Sequence, residues 1–90
     1  MIIRSQNKKS IINLDSVDTI ETRDNQIRYF CGGGMETMGV LGKYSTEEKA
    51  IKVLDMIQSA YCRTEDVKSG AVQAQKQDSF CFDMPQDSEV

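Results

Sequence analysis

The chain has 90 residues, 39 % of them hydrophobic, with 11 Lys/Arg against 14 Asp/Glu, a formal net charge of −3 and neither Trp nor His. A chain of this length makes about one small domain and buries only roughly 60 % of the surface its unfolded form exposes, so homo-oligomerisation is expected to add burial. Residues 1–62 balance eight Lys/Arg against eight Asp/Glu while 63–90 carry three against six, which lacks the basic footprint of a nucleic-acid binder, and the missing His removes the usual general base and weighs against zinc.

No basic-then-apolar leader opens the chain, and no apolar run approaches the ~20 residues that span a bilayer, so a cytosolic protein without a membrane partner is expected. Cys31, Cys62 and Cys81 form an odd set without CxxC spacing. They read as reduced, packing thiols rather than a disulfide framework or metal site.

In chain order, the apolar start at Met1 to Arg4, the polar stretch Ser5 to Lys9 and the return at Ile11, Ile12 and Leu14 predict a first hairpin. A second strand is expected through Val17, Ile20 and Thr22. Arg23-Asp24-Asn25-Gln26 then supplies a turn, since Asp and Asn tolerate unusual backbone angles, and Ile27 to Cys31 returns antiparallel. Along that return strand, alternation puts Ile27, Tyr29 and Cys31 on one face and Arg28 and Phe30 on the other. Gly32-Gly33-Gly34 breaks the strand, and Met35 to Gly42 resumes an extended pattern ending at Tyr44.

Ser45 to Tyr61 carries the firmest helix signal. Ser45 with Glu48 three residues later is a capping box, and Glu47 and Glu48 suit the positive end of the helix dipole. Ala50, Ile51, Leu54, Ile57 and Tyr61 recur at helical spacing with Val53 beside them, while Lys49, Lys52, Asp55 and Gln58 face away. One helix and several strands must cover each other's apolar faces, which predicts an α+β domain: a small antiparallel meander of four to five strands packed by one amphipathic helix. The domain is placed at 1–62. Residues 63–90 read as a partly ordered acidic extension with a short strand at 79–83.

The chemistry-bearing candidates are few. Consecutive glycines at 32–34 let backbone N–H groups approach a phosphate, but the spacing fits neither a P-loop nor a dinucleotide fingerprint, and a flexible hairpin loop is the simpler reading. Arg4, Lys8, Lys9, Arg23, Arg28 and Lys43, interleaved with Tyr29, Phe30 and Tyr44, are the mixture from which a phosphate-and-base pocket is made, although strand edges also use Lys and Arg against unwanted pairing. Cys31 lacks the His that activates a nucleophilic thiol. No carboxylate constellation suggests acid–base work, and three acidic residues among the last eight are thin for nucleic-acid mimicry. Neither catalysis nor a cofactor or metal is expected.

Ile3-Arg4-Ser5-Gln6 with Lys9, Leu41-Gly42-Lys43-Tyr44-Ser45 with Glu48-Lys49-Ala50, Val53-Leu54-Asp55-Met56-Ile57, and Phe82 with Met84-Pro85 together resemble a group of small proteins from prophages, phages and integrative elements of Gram-positive bacteria. The likeness covers most of the chain outside 63–78, and the Cys31-to-Glu36 segment is longer than that pattern. The resemblance implies an anti-defence role: a homo-oligomer that sequesters a small nucleotide-derived immune signal of Thoeris or CBASS type. Arg4, Arg28 and Lys43 would hold phosphates, Tyr29 and Tyr44 would stack, and the backbone of Gly32, Gly33 and Gly34 would close over the ligand. Its alternatives are a protein–protein inhibitor of a host defence protein such as a CRISPR nuclease, acting through a sheet edge, the helix or the tail, and a structural or regulatory phage accessory protein.

Overall fold

Local chemistry sets each turn before any packing is considered. In the computed structural model, which describes residues 1–32, 38–70 and 81–90, strands β1 (Ile2–Arg4) and β2 (Ile11–Asn13) form the expected hairpin, with Ile3 opposite Ile12. Its loop is organised by two side chains. Ser5 Oγ donates to Asn7 Oδ1 at 2.7 Å and accepts from the Ser10 N–H at 3.1 Å, while Asn7 Oδ1 also accepts from the Lys9 N–H at 2.9 Å. These bonds satisfy the buried Ser5 hydroxyl.

A one-turn 3-10 helix, Leu14–Ser16, leads into β3 (Thr19–Arg23), which pairs antiparallel with β4 (Gln26–Phe30). Asp24 and Asn25 join them with φ of 52° and 62°. Two consecutive positive φ angles belong to the two-residue type I′ turn, whose twist matches that of the flanking strands.

Strand β5 (Met38–Lys43) continues antiparallel to β4, with Ile27 opposite Gly42 but Arg28 opposite Val40. Leu41 is therefore the extra residue of a bulge, its side chain 2 % exposed in the core. Its carbonyl accepts from the Gln6 N–H at 2.8 Å. The expected strand start at Met35 lies outside the described residues.

Helix α1 (Glu47–Ser69) begins one residue later than the capping box predicts. Thr46 is the N-cap, its Oγ1 accepting from the Lys49 N–H at 3.2 Å. The Ser45 N–H instead donates to Asp87 Oδ1 at 2.7 Å, and Lys49, expected to face away, donates from Nζ to the Asp87 carbonyl at 3.0 Å. The helix also runs past Tyr61 to a left-handed Gly70 with φ 83°. Thr64 is buried there, with its hydroxyl 3.8 Å from Met1 Sδ, and Lys68 pairs with Asp15 at 3.6 Å. The buried stripe is Ala50, Val53, Ile57 and Thr64; Ile51 is 44 % exposed, so the stripe is turned toward Val53 from the expected one.

The α+β class holds, with its strands distributed over two sheets. One has the order β2-β1-β6, where β6 (Cys81–Asp83) runs parallel to β1, and the other has the order β3-β4-β5. Positions 79 and 80 of the expected C-terminal strand lie outside the described residues. The core of Met1, Ile3, Ile27, Leu41, Tyr44, Ala50, Val53, Ile57 and Met84 draws on both sheets, the helix and the C-terminal residues. Residue 62 lies within α1, and residues 81–90 pack on their own chain. Cys62 and Cys81 are exposed rather than packed, and Cys31 is half-buried. Among the described residues no helix is long and apolar enough to cross a membrane.

Candidate functional site

The pairing register of β3, β4 and β5 divides the side chains of that sheet between two faces. Ile20, Thr22, Ile27 and Tyr29 point toward α1, with Ile27 fully buried. The opposite face carries three cross-strand rows: Thr19, Phe30 and Met38; Glu21, Arg28 and Val40; Arg23, Gln26 and Lys43. Three cations thus share an outer surface with one aromatic and two aliphatic side chains. Met38 and Val40 are 40 % and 42 % exposed, and Phe30 is half-buried.

The cations on this surface are not equivalent. Arg28 is half-buried and held by its own hairpin, its Nε donating to Gln26 Oε1 at 3.1 Å and its Nη2 lying 3.6 Å from Asp24 Oδ2. Those contacts tether the guanidinium to its own hairpin and leave donor capacity, since the group carries five N–H bonds. Lys43 and Arg23 are exposed. The main chain of Lys43 is locked by the Gln6 amide, which accepts from the Lys43 N–H at 2.8 Å and donates to its carbonyl at 2.9 Å. The side-chain amide here stands in for one residue of a neighbouring strand.

The structure therefore brings Arg28 and Lys43 to one face and places the other sequence candidates elsewhere. Arg4 belongs to the other sheet, where its guanidinium donates to the Lys8 carbonyl at 3.2 Å and 3.4 Å. Tyr29 lies on the inner face across from Gly39, where a Cβ on Gly39 would stand 2.4 Å from the ring. Tyr44 is 6 % exposed, and its hydroxyl donates to the Pro85 carbonyl at 2.8 Å. Tyr44 is thus enclosed, and Tyr29 is half-buried on the inner face. Both placements share a cause: glycines at 39 and 42 leave hollows in β5 that the two aromatic rings fill, Gly42 opening onto the Tyr44 ring. Gly32 is exposed with φ 66°, and Gly33 and Gly34 lie outside the described residues.

The sequence mixture already contains Arg23 and Phe30, and alternation sets Phe30 beside Arg28, but neither stood among the expected ligand contacts; the Asp24-Asn25 turn sets Arg23 beside Gln26. Sequence reasoning missed Gln6, which bonds to β5 while Gln86 Nε2 donates to the Gln6 carbonyl at 2.8 Å. No local signal marks a glutamine for such a long-range role. Two recesses flank the sheet. One of about 310 Å³ lies along the β5 edge between Asn7 and Lys43, and the other, of about 460 Å³, opens between the start of β3 and α1 with Leu14, Ile20, Leu54 and Tyr61 among its walls. Among the described residues no cluster of His, Cys, Asp and Glu has the arrangement of a metal site. No protein-family model matches the chain, and no curated protein or solved structure matches it either.

Proposed function

We propose that this chain is a non-catalytic binding protein of mobile-element type that assembles with copies of itself in the host cytosol and sequesters a small nucleotide-derived immune signal, of the class used by Thoeris or CBASS systems. The observation that carries this reading is the outer face of β3-β4-β5, where Arg23, Arg28 and Lys43 stand beside Phe30, Met38 and Val40. Guanidinium and ammonium groups pair with phosphates, and an aromatic or aliphatic surface accepts a base or sugar. A single copy presents these groups on an open face rather than in a cavity. A second copy laid over Met38 and Val40 would bury exposed apolar surface and enclose the ligand.

Calorimetry and thermal-shift titration against cyclic dinucleotides and ADP-ribose derivatives test this directly. Binding without turnover is expected, weakened at least tenfold by Arg28→Ala and by Lys43→Ala, with sedimentation reporting an oligomer. Failure of every compound to bind would sink the reading.

A second reading, inhibition of a host defence protein by direct contact, is favoured by a different observation. The 460 Å³ cleft between β3 and α1 is walled largely by aliphatic side chains and contains no Lys or Arg, which suits a protein side chain better than a phosphate. A stoichiometric protein partner retained in nucleotide-free pull-downs would favour it.

A further inference from the structure

Among the described residues strand β3 is the edge of its sheet, and its two-residue turn determines which of its backbone groups face outward. Arg23 and Gln26 close the hairpin as a hydrogen-bonded pair, so bonded pairs recur at Glu21 with Arg28 and Thr19 with Phe30. The N–H and C=O groups of Ile20 and Thr22 consequently point away from β4, toward the open edge. Beside that edge lies the 460 Å³ cleft, with Leu14, Val17 and Ile20 on one wall and Leu54, Ile57 and Tyr61 of α1 on the other. A strand edge that no described strand pairs with, next to an apolar cleft backed by a helix, has the geometry of strand addition: main-chain bonds hold an extended segment, and every second side chain drops into the cleft.

From this geometry we infer that β3 and α1 form a docking groove for an extended segment of a partner protein, with apolar side chains alternating with Lys or Arg. The charge pattern selects that chemistry. Glu21 lies at the centre of the edge on the outer face. The Arg28 guanidinium across from Glu21 is engaged with Asp24 and Gln26. In an added antiparallel strand, residues opposite Ile20 and Thr22 send their side chains toward α1, whereas the residue between them stands directly opposite Glu21. A cation there is stabilising and a carboxylate destabilising. The same rule disfavours a second copy as occupant, because a two-fold pairing of β3 about its centre sets Glu21 against Glu21. This surface is separate from the outer sheet face, and it gives the protein-contact reading a location and a ligand chemistry.

The test uses the full chain and a designed octapeptide alternating valine with arginine, blocked at both ends. Binding is followed by calorimetry and by amide hydrogen exchange. Saturable binding is expected, with new exchange protection at the Ile20 and Thr22 amides. Methylating the valine amides, which point at β3, should abolish it. Glu21→Lys should weaken the arginine peptide at least tenfold and strengthen a glutamate-bearing counterpart; circular dichroism verifies that the variant is folded, and Glu21→Gln provides a milder second variant that should also weaken the arginine peptide. Absence of binding, equal binding of the methylated peptide, or binding without protection at Ile20 and Thr22 would each overturn the inference. The nucleotide screen and the pull-down read other properties, so either functional reading can fail while this one stands.

Discussion

Tyr44 follows the last residue of β5, and its phenol reaches the Pro85 carbonyl at 2.8 Å. Burial, and then the nearby carboxylates Asp87 and Glu89, push its pKa up to about 12. A group whose folded-state pKa is raised contributes fully below its unfolded pKa, near 10, and loses that contribution as pH rises through the folded value. The urea midpoint of the wild type should therefore fall between pH 10 and pH 12 by more than that of Tyr44→Phe. At neutral pH the same variant should lose about 0.5–1.5 kcal/mol with the hydrogen bond. Equal alkaline slopes in the two proteins would show that Tyr44 is not the responsible group. On the acid side, the Ser45 N–H is the main cause that holds the Asp87 carboxyl below its usual range. Its contribution is present above the unfolded carboxylate pKa and fades as pH falls through the lower folded value.

At the scale of elements, the start of α1 separates two neighbouring hydroxyl residues that look interchangeable in the sequence. Thr46 caps the helix through its side chain, whereas Ser45 is fastened through its backbone N–H to Asp87. Thr46→Ala should cost about 1 kcal/mol in chemical denaturation, and Ser45→Ala clearly less. The reverse order would return the cap to Ser45. Periodicity and cap chemistry made the helix itself legible, but its last two turns depend on Thr64 against Met1 and Lys68 against Asp15. Those contacts join residues more than fifty positions apart, and a short-range pattern carries no trace of them. The strands divide in the same way. The Asp24-Asn25 turn announces its hairpin, but nothing local reports the parallel pairing of β6 with β1.

Across the whole molecule, the C-terminal residues fasten the two sheets together. Met84 is 1 % exposed in the shared core, its N–H donating to the Arg4 carbonyl at 3.0 Å, and Gln86 meets the Gln6 carbonyl. Met84→Ala should destabilise the fold by about 2–5 kcal/mol, as expected for a buried long side chain cut to a methyl. The transition should remain single in both circular dichroism and tyrosine fluorescence, because both sheets and the helix share that core. A variant that lost only the β2-β1-β6 sheet, leaving α1 folded, would contradict this account.

The sequence by itself determined the α+β class, the two hairpins, the helix and the opposition of Arg28 to Tyr29. All of these follow from side-chain period, turn chemistry and capping, which act over a few residues. Only the tertiary structure decided which polar and aromatic groups meet. Two glycines in β5 drew Tyr29 and Tyr44 inward, the register set Arg23, Arg28 and Lys43 on one outer face, and Gln6 joined one sheet to the other. The reason is physical: a side chain's role here depends on whether packing leaves it open to solvent, and that depends on partners up to eighty residues away along the chain.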